Sequence, residues 1–211
     1  MNNLSDDAAK SRRGRRPAAE VRAEVLAATS ALLAGEGLRA VTFDRVAARS
    51  GVSKTTIYKW WPSPGSLAAE SYFSRSEPDL VFHDSGDLFT DIRAQLRSFV
   101  RLLTEQGGGR VIAELIGAAQ GDPDLSVAVS QRYTMPRRQL AIDYFRHALN
   151  RGQLRAGIDP SLLVDQLWGA CYNRLLIPDA PLDVDFADDL VTNTLLGAAS
   201  ADYRGGLEAA L

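Results

Sequence analysis

The sequence predicts an all-α protein, and three observations carry that prediction. Apolar residues recur at a spacing of three to four through most of the chain. No stretch shows the apolar–polar alternation of a strand. Clusters of Gly, Pro and Asp cut the pattern into pieces of helix length. The expected architecture is an N-terminal three-helix helix-turn-helix domain followed by a larger C-terminal helical domain. The expected divisions are a flexible basic arm over 1–17, the helix-turn-helix domain over 18–76, the larger domain over 77–199, and a frayed tail over 200–211.

The first helix begins at Ala18, where Val21, Val25, Thr29 and Leu32 form one stripe with Leu33 beside it. "AGEG" stops it, since Gly35 and Gly37 suit the turn after a helix end. In "VTFDRVAARSG", Thr42 is a good N-cap, Asp44 complements the first turn, and Phe43, Val46 and Ala47 form the inward face. Gly51 breaks this short helix and Ser53 caps the next, "KTTIYKW". Ser63 then caps a fourth helix with Pro64 at its first position, running to about residue 76. Residues 77–87 read as a loop. Further helices are expected at about 88–104, 110–120, 124–151, 160–176 and 185–198, divided by "EQGGG", "GDPD", "RGQLRAGIDP" and "IPDAPLD". Pro136 should kink or divide the longest of them.

The net charge of −2 hides a partition. Residues 10–75 hold 12 Lys/Arg against 5 Asp/Glu, and residues 76–211 hold 12 against 19. A basic N-terminal third joined to an acidic remainder points to a polyanion-binding module. No apolar run reaches membrane-spanning length, and the polar N-terminus has no signal-peptide pattern, so a cytoplasmic protein without a membrane partner is expected. Cys171 has no partner for an internal disulfide, and with only His83 and His147 besides, no metal site is expected. No nucleophile–base pair or phosphate-cradling glycine loop is evident, which argues against an enzyme and against a cofactor. "EQGGGR" lies between helices rather than after a strand and reads as a linker.

The segment "GVSKTTIYKWW" puts lysines, hydroxyls and aromatics into one short helix. At about 100° per residue, Ile57 and Trp61 fall on one side, joined by Val52. Thr55, Thr56 and Lys59 fall opposite, flanked by Tyr58 and Trp60. One face can anchor in a small core while the other meets base edges and phosphates of a duplex. Lys54 and Lys59 add attraction to the polyanion.

Residues 18–75, and "GVSKTTIYKWWPS" above all, resemble the DNA-binding domain of the TetR family of bacterial transcription regulators. The C-terminal part resembles one of that family's ligand-binding domains more loosely, through "DPDLSVAVSQRYTMPRRQLAIDYFRHALNRGQLRAGIDP" and "YNRLLIPDAPLD". The resemblance implies a regulator that binds a double-stranded DNA operator as a homodimer and answers to a small-molecule effector, most often as a repressor. The alternative is a regulator with no small-molecule effector, controlled by a protein partner or by abundance.

Residue by residue, the resemblance implies that Thr42 binds a phosphate and that Lys54, Thr55 and Lys59 face the major groove with Thr56 beside them. Tyr58 sends its hydroxyl to the DNA backbone, and Trp60 holds a position that often touches backbone or base. Trp61 fills a core position where phenylalanine is usual. The family's lysine after Pro-Ser is replaced by Pro64, and Arg12, Arg13, Arg15 and Arg16 are expected to compensate from the adjacent minor groove. The ligand-binding and dimerisation domain is expected to line its pocket with Phe99, Leu103, Ile112, Leu115, Tyr144, Trp168 and Tyr172. Because one helix-turn-helix unit buries too little surface for tight specific binding, a two-fold dimer is expected. Its interface is expected along Leu163, Leu167, Ala170 and Arg174 of one late helix and Phe186, Leu190 and Thr194 of the other.

Overall fold

A computed structural model describes residues 16–76, 82–105 and 107–210. Among them are eleven α-helices and no β-strand beyond one isolated bridge between Leu154 and Ala199. The helices are α1 (Ala18–Glu36), α2 (Phe43–Ser50), α3 (Lys54–Trp60), α4 (Pro64–Ser76), α5 (Leu88–Thr104), α6 (Gly108–Ala119), α7 (Pro123–Val129), α8 (Met135–Asn150), α9 (Pro160–Leu176), α10 (Val184–Ala198) and α11 (Ala201–Ala210).

Local chemistry sets the short N-terminal helices. The Thr42 hydroxyl accepts from the Arg45 N–H at 3.2 Å and starts α2. Gly51 ends it at φ 70°, a left-handed conformation that glycine adopts without steric cost. The Ser53 hydroxyl accepts from the Thr56 N–H at 3.3 Å to start α3. Ser63 and Ser66 exchange side chain for backbone N–H at 3.1 and 3.2 Å, a reciprocal cap on α4.

Two apolar cores result. One joins Val25, Leu32, Phe43, Val46, Ile57 and Trp61, but it also takes in Val111, Leu115 and Leu125 from α6 and α7. The packing of the N-terminal helices thus crosses the expected boundary at residue 76. The second core runs from Leu88 on α5 through Tyr144 and Phe145 on α8 to Leu167, Val191 and Leu195 on α9 and α10. Tyr72 on α4 packs against both.

One feature meets the sequence expectation and two depart from it. The helix expected at 124–151, with Pro136 expected to kink or divide it, is divided by a π-helical turn, Ser130–Thr134, just before that proline. Proline lacks an N–H and crowds the carbonyl four residues earlier, so the preceding turn widens. The tail expected to fray is α11, held by the buried Leu207 and by Tyr203, whose hydroxyl accepts from the Phe89 N–H and donates to Asp87 Oδ2, both at 2.9 Å. The glycines of "EQGGGR" are more than a linker. A Cβ on Gly108 would lie 2.2 Å from the Leu102 carbonyl oxygen, and one on Gly109 would lie 2.3 Å from that of Leu103. The turn from α5 into α6 closes only because neither residue has a side chain.

Candidate nucleic-acid interface and ligand cavity

The second and third helices present two faces. Val46, Val52, Ile57 and Trp61 are buried against α1 and α4. Lys54, Thr55, Tyr58 and Lys59 are exposed along the outer side of α3, with Thr56 half-buried and its hydroxyl 3.0 Å from that of Ser53. Tyr58 is 60% exposed although its ring meets Phe43 edge-on at 4.5 Å. A large aromatic held open to solvent while its ring is braced from below is poised to present its hydroxyl outward. Trp60 is half-buried and meets Trp61 edge-on at 5.6 Å, so it is partly committed to packing.

The cations on this side are not all bare. Lys54 Nζ donates to Asp44 Oδ1 at 2.6 Å, and that hydrogen bond and charge raise the ammonium pKa above its ordinary value. Arg45 pairs with Glu36 at 2.6 Å, and Arg16 reaches both oxygens of Glu24 at 2.7 and 2.8 Å. Arg12, Arg13 and Arg15 lie outside the described residues. Thr42 is exposed at the start of α2 with its hydroxyl oxygen engaged in the cap.

Behind α3 stands a charged buttress that sequence reasoning missed. Glu70 on α4 is buried and accepts from Trp61 Nε1 at 3.0 Å and from Arg22 on α1. The Arg22 guanidinium also covers the Trp61 ring at 4.6 Å. From the opposite direction Arg132, in the π-helical turn, comes within 3.5 Å of Glu70. One carboxylate therefore joins α1, the end of α3 and the second half of the molecule. The indole at position 61, where a hydroxyl-free ring would also pack, was the one signal of a buried acceptor.

Next to that turn lies a cavity of about 200 Å³ walled by three ring pairs. Phe73 and Tyr133 stack at 4.3 Å, Phe99 and Tyr172 meet edge-on at 5.5 Å, and Phe82 and Trp168 are tilted at 6.1 Å. Its polar lining includes Gln95, Thr134, Arg137 and the ion pair of Arg138 with Asp165. Of the seven expected lining residues, Phe99, Trp168 and Tyr172 are here. Tyr144 stands behind Phe82 at 5.7 Å with its hydroxyl donated to the buried Asp91 at 2.6 Å. Burial and that carboxylate push its pKa up. Leu103 and Ile112 are core residues rather than cavity wall, because the facing α5 and α6 close over them. Leu115 is corrected further: it packs in the N-terminal core with Leu125. A more open cleft of about 660 Å³ separates α1 and α4 from α5 and α6, lined by Ser30, Tyr72, Arg75, Ser98, Arg101 and Glu105.

The expected dimer stripe is also redrawn. Leu163 and Leu167 are 1% and 0% exposed and belong to the chain's own core, so they offer no surface to a partner. Ala170, Arg174, Phe186, Leu190 and Thr194 remain half-exposed. Arg174 lies 3.9 Å over the Phe186 ring and donates to the Pro181 carbonyl at 2.5 Å. Leu162, Leu176 and Ile177 are exposed apolar residues at the two ends of α9. Among the described residues no helix is long and apolar enough to cross a membrane, and no cluster of His, Cys, Asp or Glu could hold a metal.

Comparison with known proteins agrees with this geometry. The family model "Bacterial regulatory proteins, tetR family" matches residues 25–70, and "Tetracyclin repressor-like, C-terminal domain" matches residues 82–194. The HTH-type transcriptional regulator YdeS of Bacillus subtilis (strain 168) is 35% identical over 188 residues, 89% of this chain and 94% of that protein. The DNA-binding transcriptional repressor TetR of Mycobacteroides abscessus is 31% identical over 176 residues, 82% of this chain and 91% of that one. The crystal structure of the TetR family transcription regulator SCO0332 shares 55% identity and a TM-score of 0.77, covering 86% of this chain and 100% of its own.

Proposed function

Since this chain belongs to the TetR family of bacterial transcriptional regulators, proteins that bind DNA, we propose that it is a ligand-responsive repressor that binds a pseudo-palindromic operator as a homodimer. In this reading Thr55 and Lys59 read base edges from the exposed side of α3, with Thr56 and Lys54 beside them. Tyr58 and Thr42 meet phosphates, Trp60 supports the edge of that surface, and the basic segment of Arg12, Arg13, Arg15 and Arg16 follows the adjacent groove. The half-exposed residues of α9 and α10, with Leu190 near their centre, pair with the same residues of a second copy.

One observation supports the ligand response above all. The aromatic cavity and the support of α3 share a wall. Tyr133 lines the cavity and stacks on Phe73 of α4, while its neighbour Arg132 faces Glu70, which holds Trp61 at the end of α3. A molecule entering the cavity displaces that turn, and through α4 the spacing of the two reading helices. A ligand that prefers the displaced state lowers operator affinity by the same free energy that the operator subtracts from ligand affinity.

Selection of bound sequences from random duplexes tests the reading and yields the operator. Lys59→Ala and Thr55→Ala should each cost about 1–3 kcal/mol and relax preference at one position per half-site. Tyr58→Phe should weaken all sequences alike. Variants of Lys59 and Thr55 that fold and keep the parent's full base preference would show that another surface reads the DNA.

A further inference from the structure

We propose that Glu114 on α6 is a positioning residue for operator spacing: its carboxylate pins the turn between α1 and α2 and so fixes the angle at which each helix-turn-helix unit stands on its dimer. The proposal rests on the reading of the chain as a dimer that binds two half-sites, and it adds a second joint to the Glu70 buttress.

The turn takes an acceptor from outside the N-terminal helices. The α1 ladder closes with the Gly37 N–H on the Leu33 carbonyl at 3.0 Å. Gly37 then turns the chain at φ 83°, and a short 3-10 turn, Leu38–Ala40, leads to the Thr42 cap of α2. The Leu38 N–H, first of that turn, donates to Glu114 Oε2 at 2.5 Å, across 76 positions of sequence. A carboxylate on a backbone N–H at the start of a helical turn makes a charge-assisted bond, short and roughly twice as strong as a neutral one. Gly37 is buried under the same group: a Cβ there would lie 3.0 Å from both Glu114 oxygens. Glycine gives the backbone its φ and the carboxylate its room. Arg110 also leans on this turn, 3.2 Å from Glu114 Oε1 and 3.4 Å from the Leu33 and Ala34 carbonyls, but those two backbone contacts are long and carry little.

Val111, Glu114 and Leu115 stand at i, i+3 and i+4 on one face of α6, and the two apolar ones enter the N-terminal core. Apolar packing is non-directional and lets one body roll against another. Hydrogen bonds are directional. Glu70, with Trp61 and Arg132, marks one joint behind the end of α3, and Glu114 marks another ahead of α2. A unit held at one point pivots freely about it. Held at both, it keeps only the axis between them. Thr42 follows Leu38 by four residues, so what moves Leu38 moves the surface proposed to face DNA. In a two-fold dimer both α3 helices swing together. A change of angle therefore alters their separation, which must match the roughly 34–36 Å, or a multiple of it, between half-site centres.

The test uses the full-length chain and duplexes built from the selected operator. One series varies the spacer between half-sites one base pair at a time, and one further duplex carries a single half-site. The parent should prefer one spacing. Glu114→Ala should weaken binding at that spacing by about tenfold, the equivalent of one lost charge-assisted bond, and flatten the preference, while affinity for the single half-site stays within about twofold. Glu114→Met, similar in length but a poor acceptor, gives the same reading if alanine unfolds the chain. Glu114→Gln keeps an oxygen for the Leu38 N–H and should restore most of the preference. Arg110→Ala leaves the Glu114 oxygen in place and should match the parent. Hydrogen exchange of the Leu38 amide should quicken when Glu114 is lost. A merely structural Glu114 would lower the melting temperature and weaken full and single sites equally, with the spacing preference intact, and that result overturns the proposal. An unchanged Leu38 exchange rate, or a preference flattened by Arg110→Ala, overturns it as well. The parent chain separates the two levels. No spacing preference in the parent would reject the dimer reading itself, whereas a parent preference that survives the loss of Glu114 would reject only the positioning role.

Discussion

Tyr133 lies face to face with Phe73, ring centroids 4.3 Å apart, and the stack joins the wall of the aromatic cavity to α4, the helix that carries Glu70. Couplings between sites are typically about 1–3 kcal/mol, or roughly 5–150-fold in affinity. Tyr133→Ala is expected to lose most of the ligand's effect on operator binding, whereas Tyr133→Phe keeps the ring and the effect. Operator affinity with and without effector measures this. A full response from the alanine variant would place the coupling elsewhere.

Glu70 should matter to stability as well as to coupling. Its alanine variant leaves the buried Trp61 indole N–H without its acceptor and the partly exposed Arg22 guanidinium without its carboxylate. An unmet buried polar group costs about 1–3 kcal/mol. Glu70→Gln keeps an oxygen for the indole and should cost less. Urea unfolding of the two variants gives the comparison, and equal losses would mean that the charge, not the indole bond, is what counts.

The pairing of Lys54 with Asp44 predicts an effect on DNA affinity from an acid. Asp44→Asn removes a negative charge from the side proposed to face DNA and frees Lys54 for phosphate. Operator binding should tighten, and the log–log salt dependence should steepen by up to about 0.9, the slope for one phosphate contact. A salt titration that superimposes on the parent's would mean that Lys54 stays away from the duplex.

Leu190 and Leu167 lie on neighbouring helices but should respond oppositely to arginine. Leu190 is half-exposed, so Leu190→Arg should give a folded monomer that binds the operator weakly. Leu167 is fully buried, and Leu167→Arg places an uncompensated charge in the core and should unfold the chain. Sedimentation and circular dichroism distinguish these results. A dimer surviving Leu190→Arg would put the interface on another face.

Asp87 ties stability to acid. Burial alone would push its carboxyl up, but the Thr90 N–H at 2.8 Å and the Tyr203 hydroxyl at 2.9 Å outweigh that and hold it below the ordinary carboxylate value. With the folded value depressed, its contribution is complete above the unfolded pKa of about 3.9 and is lost as pH falls through the folded one. Asp87→Asn keeps a capping oxygen and removes the charge, so the gap in stability between parent and variant should be constant near neutrality and shrink below about pH 4. A gap independent of pH would deny the carboxylate this role.

What could be read before the structure was what neighbouring residues decide among themselves. Thr42, Ser53 and Ser63 cap helices whose first turns they touch, and the α3 wheel separates Ile57 and Trp61 from Lys59 within one turn. What failed depended on distant partners. Leu115 and Leu103 have the same chemistry, and only the crossing of α6 over α1 and α4 sends the first to the N-terminal core. Leu163 and Leu167 form a fair interface stripe until α5 and α10 cover them. Tyr133 and Phe73 are 60 positions apart, and no periodicity on either helix announces that they share a wall.

Gly108 and Gly109 have a consequence for how far the sequence can drift. At both positions the first atom of any side chain would collide with a main-chain oxygen, and a backbone cannot swing aside as a flexible side chain can. In a saturating mutational library the pair should form a gap where substitutions vanish, flanked by exposed positions such as Arg110 that accept many residues. Homologous chains that lack either glycine would have to join α5 to α6 through a longer or differently angled turn. Since α6 also carries Val111 and Leu115 into the N-terminal core, such chains would be expected, on the proposed dimer reading, to set their two α3 helices at a different distance apart, and so to diverge in operator spacing.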